Sequence, residues 1–328
     1  MEGWSEDELL FLLGNDSDEF NRWEAGQRLS KTLIASLVEK CAQGEELELG
    51  EKYITAMRSV VCDANLDKSF AAAALSIPSE NEIAELLPGL ADPAVINTVR
   101  SFIRKSLAAA LQPELETVVQ ANSEAKYSNE YASRAKRSLK NAALGYLATL
   151  KTPAVVTELT ARFRAADNMT DQTACLAALV EMDCPERLEA VEAFYQQWKD
   201  DPLVMNKWLG LQAMSNLQGN VATVQSLLQH PAFDIKNPNK VYSLVGGFCN
   251  GSPVNFHASD GSGYKLLGDV VLQVDQFNPQ VASRMVGFFT RWKKYEEGRQ
   301  TLMKEQLKRI LDTKGLSENT FEIVSKSI

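Results

Sequence analysis

Two histidines, His230 and His257, are the only imidazoles in the sequence that could serve metal or acid–base chemistry. A zinc hydrolase of the H-E-x-x-H type places two histidines one helical turn apart and adds a glutamate base and a third ligand. Here His230 precedes Pro231 at a predicted helix end, and His257 precedes Asp260 in a predicted loop. We therefore predict that both are structural or solvated, and that the chain carries no catalytic residue and no metal site.

Other chemical motifs are incomplete. A Ser-His-Asp arrangement forms only in space, so the sequence leaves it open, but no G-x-S-x-G elbow is present. The Gly261-Ser262-Gly263 turn lacks the spacing and the lysine of a phosphate loop, and it predicts a tight connection before a helix that starts near Tyr264. Asp200-Asp201 resembles half of an aspartate-rich metal motif, but Val204 occupies the place of the third aspartate.

The five cysteines are an odd number, widely spaced and without a C-x-x-C pair. A disulfide framework or a zinc ribbon would show paired spacings. The pattern predicts reduced thiols in a cytoplasmic protein, at Cys41, Cys62, Cys175, Cys184 and Cys249.

The balance of charge argues against a nucleic-acid partner, because a net charge of −9 would repel a phosphate backbone. Two basic clusters depart from this acidic balance. One of them is interleaved with aromatic residues, a mixture that can bind single-stranded nucleic acid. We interpret both as solvated helix faces: Arg134, Lys136, Arg137 and Lys140; and Arg291, Lys293 and Lys294 around Trp292 and Tyr295. No run approaches the roughly 18 apolar residues of a membrane span, so no membrane partner is predicted.

The elements that would position any site are helical. Apolar residues recur at steps of three and four, as in Val95, Ile96, Val99, Phe102, Ile103, Leu107 and Leu111. Ser5 with Glu8 and Ser79 with Glu82 fit the capping box. Four further starts pair an N-cap residue with proline: Asp92-Pro93, Thr152-Pro153, Asn237-Pro238 and Asn278-Pro279.

These signals predict about 16 to 20 helices joined by short turns, with no alternating strand. We therefore predict an all-α fold, an irregular α-solenoid or curved stack of antiparallel helix pairs. No linker rich in glycine, serine or proline divides the chain, so residues 1–328 are predicted to form a single domain.

One long segment is poor in charge. From Trp208 to Ser259 only Asp234, Lys236 and Lys240 are charged, although 23% of the whole chain is. Charged residues are rare where water is scarce. Two interpretations remain open: the segment forms the central helices of the stack, or it is a surface covered by another domain or lining a substrate channel.

Several motifs resemble the C-terminal domain of the bacterial aminopeptidase N family, which are thermolysin-like zinc peptidases. They follow one another in the family's order and extend over nearly the whole chain: DEFNRWEAGQRL (Asp18–Leu29), DNMTD (Asp167–Asp171), LVMNKW (Leu203–Trp208), NPNKVYSLVGGF (Asn237–Phe248), FHASDGSGY (Phe256–Tyr264) and NPQVASRM (Asn278–Met285).

The resemblance implies a non-catalytic domain of a larger enzyme. In such enzymes a separate thermolysin-like domain carries H-E-x-x-H, the zinc and a G-x-M-E-N loop, and none of these motifs occurs in this sequence. The helical domain closes over that cleft as a bowl and admits small peptides. The implied partners are the catalytic and N-terminal domains of the same polypeptide and peptide substrates, with zinc expected only in the catalytic domain. The alternative is a free-standing α-solenoid interaction module.

Gln280 and Arg284 are four residues apart after the Asn278-Pro279 start, so they share one helix face. The resemblance implies that this face lines the substrate channel, where Gln280 would hydrogen-bond a peptide backbone and Arg284 would supply a cation. A purely structural role for the pair remains the alternative. Some family members have a second arginine where this chain has Tyr242, so we include Tyr242 in the predicted channel wall.

Overall fold

The computed structural model describes residues 3–328, and its regular elements are helices throughout. Within that range the only pairing of extended backbone is an isolated bridge between Ala91 and Tyr295. The prediction of an all-α fold is confirmed.

The helices begin where local sequence predicts. At the first, the Ser5 hydroxyl accepts from the amide of Glu8, and the Glu8 carboxylate accepts from the amide of Ser5. Ser79 and Glu82 make the same reciprocal pair. The proline starts at Pro93, Pro153, Pro238 and Pro279 are also observed. Each cap satisfies amides that lack a partner inside their own helix, so these starts are encoded within a few residues.

The described residues divide into two compact units. The first comprises the described chain up to Leu86 and Val95–Met182. Its core is aliphatic, with Leu13, Val60, Val99 and Leu176 fully buried. Its helices are α1 (Glu6–Asn15), α2 (Glu19–Ala42), α3 (Glu51–Cys62), α4 (Lys68–Ala74), α5 (Glu80–Leu86), α6 (Pro93–Ala110, in this unit from Val95 onward), α7 (Gln112–Ala121), α8 (Tyr131–Leu147), α9 (Pro153–Ala165) and α10 (Met169–Leu179), with a 3-10 turn at Ala148–Leu150.

The second unit comprises Leu87–Ala94 and Asp183–Ile328. Its core combines aliphatic side chains with aromatic rings, and Phe194, Phe248, Phe256 and Phe289 are fully buried. Its elements are α11 (Pro185–Trp198), α12 (Pro202–Ala213), α13 (Asn220–Leu228), α14 (Pro238–Val241), a π-helix (Tyr242–Gly246), α15 (Gly247–Gly251), α16 (Pro253–Phe256), α17 (Ser262–Asp275), α18 (Pro279–Val286), 3-10 turns at Gly287–Phe289 and Trp292–Lys294, α19 (Glu297–Leu311) and α20 (Glu318–Ser327).

Hydrogen bonds tie the short Leu87–Ala94 segment to this unit. The amide of Ala91 donates to the carbonyl of Lys294 at 2.7 Å, and the Lys294 ammonium donates to the carbonyl of Leu87 at 2.6 Å. The division into two units was not evident from sequence, because the contacts join residues about 200 positions apart. The prediction of a single domain over 1–328 stays a prediction.

The charge-poor segment contributes part of the interior of the second unit, and the rest of it is half-buried or exposed. It runs from within α12 through α16, and Leu244–Cys249 is buried without interruption. The side chains of this run face other protein atoms, and an unpaired charge there would cost several kcal/mol. The burial of Leu244–Cys249 fits the interpretation of central helices, and the alternative, a surface covered by another domain or lining a channel, stays a prediction.

The solvated face predicted for the basic cluster on α8 is wrong for two of its members. Arg137 and Lys140 are each only 7% exposed. The Lys140 ammonium pairs with Asp171 at 2.7 Å, and the Arg137 guanidinium donates to the carbonyl of Ser128 and lies over the Tyr127 ring. In the second cluster Trp292 and Tyr295 are buried. Helical spacing placed these residues on a surface of their helix, but neighbouring elements cover that surface.

Two further predictions concern the Gly261-Ser262-Gly263 turn and membrane-spanning helices. The helix after the Gly261-Ser262-Gly263 turn starts at Ser262 rather than near Tyr264, because Gly261 adopts the left-handed conformation that precedes it. Among residues 3–328, no helix has both the length and the apolar character needed to cross a bilayer.

Candidate functional site

Helix α18 presents two polar side chains to solvent from one face. Its start is fixed by Asn278, whose side chain accepts from the amide of Val281 at 3.2 Å, and by Pro279 in the first turn. Val281 and Met285 are buried on the inner side. Gln280 and Arg284 are both exposed, as the helical spacing predicts.

Tyr242 reaches the same surface from a different element. It opens the π-helix Tyr242–Gly246, which lies against α12 and continues α14 without a break. The two elements pack closely, since a methyl group on Gly210 of α12 would stand in van der Waals contact, 3.4 Å from the carbonyl oxygen of Ser243. A π-turn inserts one extra residue into a helix and is frequently found at functional sites. Tyr242 itself is half-buried.

The structure brings Tyr242 and Arg284 together. The Arg284 guanidinium donates to the Tyr242 hydroxyl at 3.4 Å, a long hydrogen bond. Within residues 3–328, Arg284 forms no ion pair with a carboxylate. An exposed guanidinium that is held by a neutral hydroxyl keeps its full positive charge and most of its five donors free, and this geometry suits a carboxylate.

Gln280 lies one turn earlier on the same face. Its backbone carbonyl accepts from the Ser283 hydroxyl at 3.1 Å, and its side-chain amide makes no hydrogen bond to the described part of the chain. The amide is therefore available to donate to, and accept from, an extended peptide backbone. The structure places Gln280 beside Arg284 through the helix, but it shows no contact between Gln280 and Tyr242.

Phe288 is a neighbour of this surface that sequence reasoning missed. A methyl group on Gly246 would lie 4.0 Å from the Phe288 ring and 3.9 Å from the Tyr242 Cβ, so this half-buried ring stands beside the π-helix. The Gly246-Gly247 pair was the available signal, because adjacent glycines inside a helical pattern indicate a close approach.

The two histidines lie elsewhere in the second unit. His230 packs against the rings of Tyr195 and Trp208, at centroid distances of 4.9 and 5.0 Å. Its Nδ1 accepts from the amide of Ala232, and partial burial lowers its pKa. These contacts are structural.

His257 is buried, with its Nδ1 2.7 Å from the Tyr264 hydroxyl and its ring tilted against that of Tyr295, with the centroids 4.1 Å apart. Burial, reinforced by the positive charge of Arg299, lowers its pKa to about 3. The Arg299 guanidinium also donates to the His257 carbonyl at 2.6 Å. This neutral histidine joins the segment before α17 to α19 and is closed to substrate.

Side chains that bind metal are dispersed in the described chain. Among residues 3–328, no three His, Cys, Asp or Glu side chains are grouped so that they could hold a metal ion. Cys175 and Cys249 are buried and burial raises the pKa of both thiols, which makes them poor nucleophiles and poor ligands. The arrangement on α18 and the π-helix can bind and orient a ligand, but it offers no group that could activate water.

Comparison with known proteins identifies a family model and relatives that match this chain. Residues 6–328 match a family model described as a domain of unknown function (DUF3458_C) with ARM repeats. ARM repeats are stacked helices, so the predicted solenoid class is confirmed. Aminopeptidase N of Escherichia coli K12 is 37% identical over 325 residues, which is 99% of this chain and 37% of that protein.

Two further relatives also match nearly the whole chain. Aminopeptidase N of Caulobacter vibrioides is 36% identical over 97% of this chain and 36% of its own length. The crystal structure of Legionella pneumophila aminopeptidase A in complex with aspartic acid superposes with a TM-score of 0.87 at 29% identity, covering all of this chain and 39% of that one. The chain thus spans little more than a third of the relatives it matches.

Proposed function

Because this chain belongs to the DUF3458_C family of ARM-repeat domains and corresponds to the C-terminal domain of aminopeptidase N, we propose that it forms the non-catalytic wall of a peptide channel in a zinc aminopeptidase. In this proposal the domain closes over the catalytic cleft, and its partners are the catalytic and N-terminal domains of the same polypeptide. Its ligands are short peptides on their way to release of the N-terminal amino acid.

One observation carries the proposal, namely that Arg284 is exposed and pairs with no carboxylate among residues 3–328, in a protein with a net charge of −9. Other arginines of the second unit pair with carboxylates: Arg299 with Asp92 and Glu296, and Arg309 with Asp269. An arginine held only by a tyrosine hydroxyl is suited to a ligand that brings its own negative charge.

The same surface supplies the groups that a short peptide needs. Arg284 would bind the C-terminal carboxylate, and Gln280 would hydrogen-bond the backbone one helical turn away, about 6 Å along α18. The Tyr242 hydroxyl would limit the rotamers of Arg284. These interactions position a substrate and leave the chemistry to another domain.

Zinc does not fit the residues of this chain. The two histidines are in separate aromatic clusters, and no group of potential ligands assembles among residues 3–328. The zinc of the proposal therefore belongs to the catalytic domain. We also propose a cytoplasmic location, which is supported by five cysteines that are all unpaired.

The test compares two substrates in the full-length enzyme, tetra-alanine and the same peptide with a C-terminal amide. Arg284→Ala should lower kcat/KM for the free carboxylate by about 5- to 30-fold, which corresponds to about 1–2 kcal/mol for a hydrogen bond to a charged group, and it should hardly affect the amide. Lys308→Ala, which removes an exposed charge from α19, should change neither. Equal losses on both peptides would contradict the proposal.

A further inference from the structure

A cavity of about 460 Å³ lies in the first unit, beside α1, α2 and α3. Its wall is largely apolar and includes Trp4, Leu9, Leu29, Leu33 and Tyr53. The hydroxyl of Tyr53 already has a partner, the Ser30 hydroxyl at 2.9 Å, so Tyr53 contributes mainly its ring to the wall. This volume is typical of a pocket that holds a ligand or the anchoring side chains of a partner.

A second cavity, of about 560 Å³, lies between α1 and α3. Leu10, Phe11 and Ala56 contribute apolar surface to it, and Phe11 is 65% exposed. The two cavities share Glu51 and Lys52 in their walls. Together with Trp4, which is 45% exposed, they form an apolar surface on both sides of α1 that water contacts at a cost.

The rim of these cavities is acidic. Glu6 and Glu51 border the first, and Lys52, the one lysine that residues 3–328 contribute to the rim, is paired with Asp7 at 2.6 Å. Glu51 lies 3.9 Å from Arg58, whose closer partner is Glu114 at 2.9 Å. The sequence that builds the rim is strongly acidic. Residues 3–21 contain six acidic and no basic side chains, and residues 44–51 contain four acidic and no basic side chains.

We propose that this α1–α3 surface docks a basic amphipathic segment of another polypeptide. An apolar side chain of that segment fills the cavity beside Trp4 and Leu33, and flanking lysine or arginine side chains lie over Glu6 and Glu51. A neutral or acidic segment would leave those carboxylates desolvated or opposed by like charge, whereas a basic one gains both affinity and a faster association. The proposal uses none of the residues assigned to the peptide channel.

The probe is a fluorescein-labelled 14-residue peptide of leucine and lysine with helical periodicity, and its partner probe has glutamate at every lysine position. We expect the chain to bind the basic peptide at 150 mM salt and to bind the acidic one at least 10-fold more weakly, as measured by fluorescence anisotropy. Trp4→Ala with Leu33→Ala should weaken binding of the basic peptide at least fivefold. Glu6→Gln with Glu51→Gln should reduce the preference for the basic peptide at least fivefold.

Matched substitutions elsewhere control for general attraction to an acidic protein. Leu188→Ala removes an exposed apolar side chain from α11, and Glu305→Gln removes an exposed charge from α19, so both should leave binding unchanged. If these controls weaken binding as much as the cavity variants do, or if the acidic peptide binds equally well, the proposal is overturned. It is also overturned if the chain self-associates in sedimentation and Trp4→Ala abolishes that association, because the surface is then a contact between copies.

Discussion

The guanidinium of Arg284 lies 3.4 Å from the hydroxyl of Tyr242, although the two residues are 42 positions apart. We expect Tyr242 to affect kcat/KM only through its hydrogen bond to Arg284. Tyr242→Phe should lower kcat/KM for a free-carboxylate peptide by about two- to threefold in the full-length enzyme, because a long, exposed hydrogen bond is worth about 0.5 kcal/mol. In an Arg284→Ala background the same change should have no effect, and a double-mutant cycle measures this difference. Additive losses would show that Tyr242 does not act through Arg284.

Gln280→Ala should lower kcat/KM of the full-length enzyme, because the variant loses a hydrogen bond to the peptide backbone. The decrease should correspond to a loss of about 1–2 kcal/mol of transition-state stabilisation. The isolated chain should unfold almost as before, since Gln280 is exposed and makes no side-chain hydrogen bond within residues 3–328. Kinetics and thermal melts decide between the alternatives. Unchanged kinetics with a melting temperature several degrees lower would assign Gln280 a structural role.

Gly263→Ala should destabilise the second unit by about 3 kcal/mol. A methyl group at this position would stand 2.3 Å from the carbonyl oxygen of Phe256 and 2.8 Å from its carbonyl carbon, so backbone would have to move. Gly287→Ala is the matched control, because nothing lies within 4 Å of its methyl position. Urea denaturation measures both variants, and similar stabilities for the two would contradict the close approach seen here.

Buried His257 should make the chain sensitive to acid. Its pKa is about 3 in the folded state and about 6.5 when unfolded, so between these values only the unfolded state binds the proton. The free energy of unfolding should therefore fall as pH decreases from 6.5 towards 3, by about 1.4 kcal/mol per pH unit and on the order of 4 kcal/mol in all.

His257→Gln should flatten that slope, whatever its effect on stability at pH 7. His230→Gln should flatten it less, because His230 is only half-buried and keeps more contact with water. Denaturation at a series of pH values gives the slopes. Identical slopes for wild type and His257→Gln would show that His257 is protonated in the folded chain.

The isolated chain should retain no stoichiometric zinc after dialysis and should not hydrolyse an aminoacyl-anilide. The physical reason is that two histidines in separate clusters cannot supply the three ligands of a catalytic zinc site. Elemental analysis and a colorimetric assay are the measurements. Near-equimolar zinc together with turnover that a chelator abolishes would refute this prediction.

The sequence by itself determined the helical class and most of the helix starts. Ser5 with Glu8, or Thr152 with Pro153, fixes a helix terminus through contacts that span only a few residues. Such helix starts can therefore be predicted from a short segment of sequence. The i, i+4 relation of Gln280 and Arg284 is equally local, because helix geometry alone puts them on one face.

Only the tertiary structure decided what those faces meet. Helical spacing could not tell that Arg137 and Lys140 are covered, that His257 is sealed against Tyr264 and Tyr295, or that Tyr242 reaches Arg284 from a π-turn. Each of these outcomes depends on how helices distant in sequence pack together. Burial and pairing arise from the sum of many weak contacts between such helices, and no short segment of the chain contains that sum.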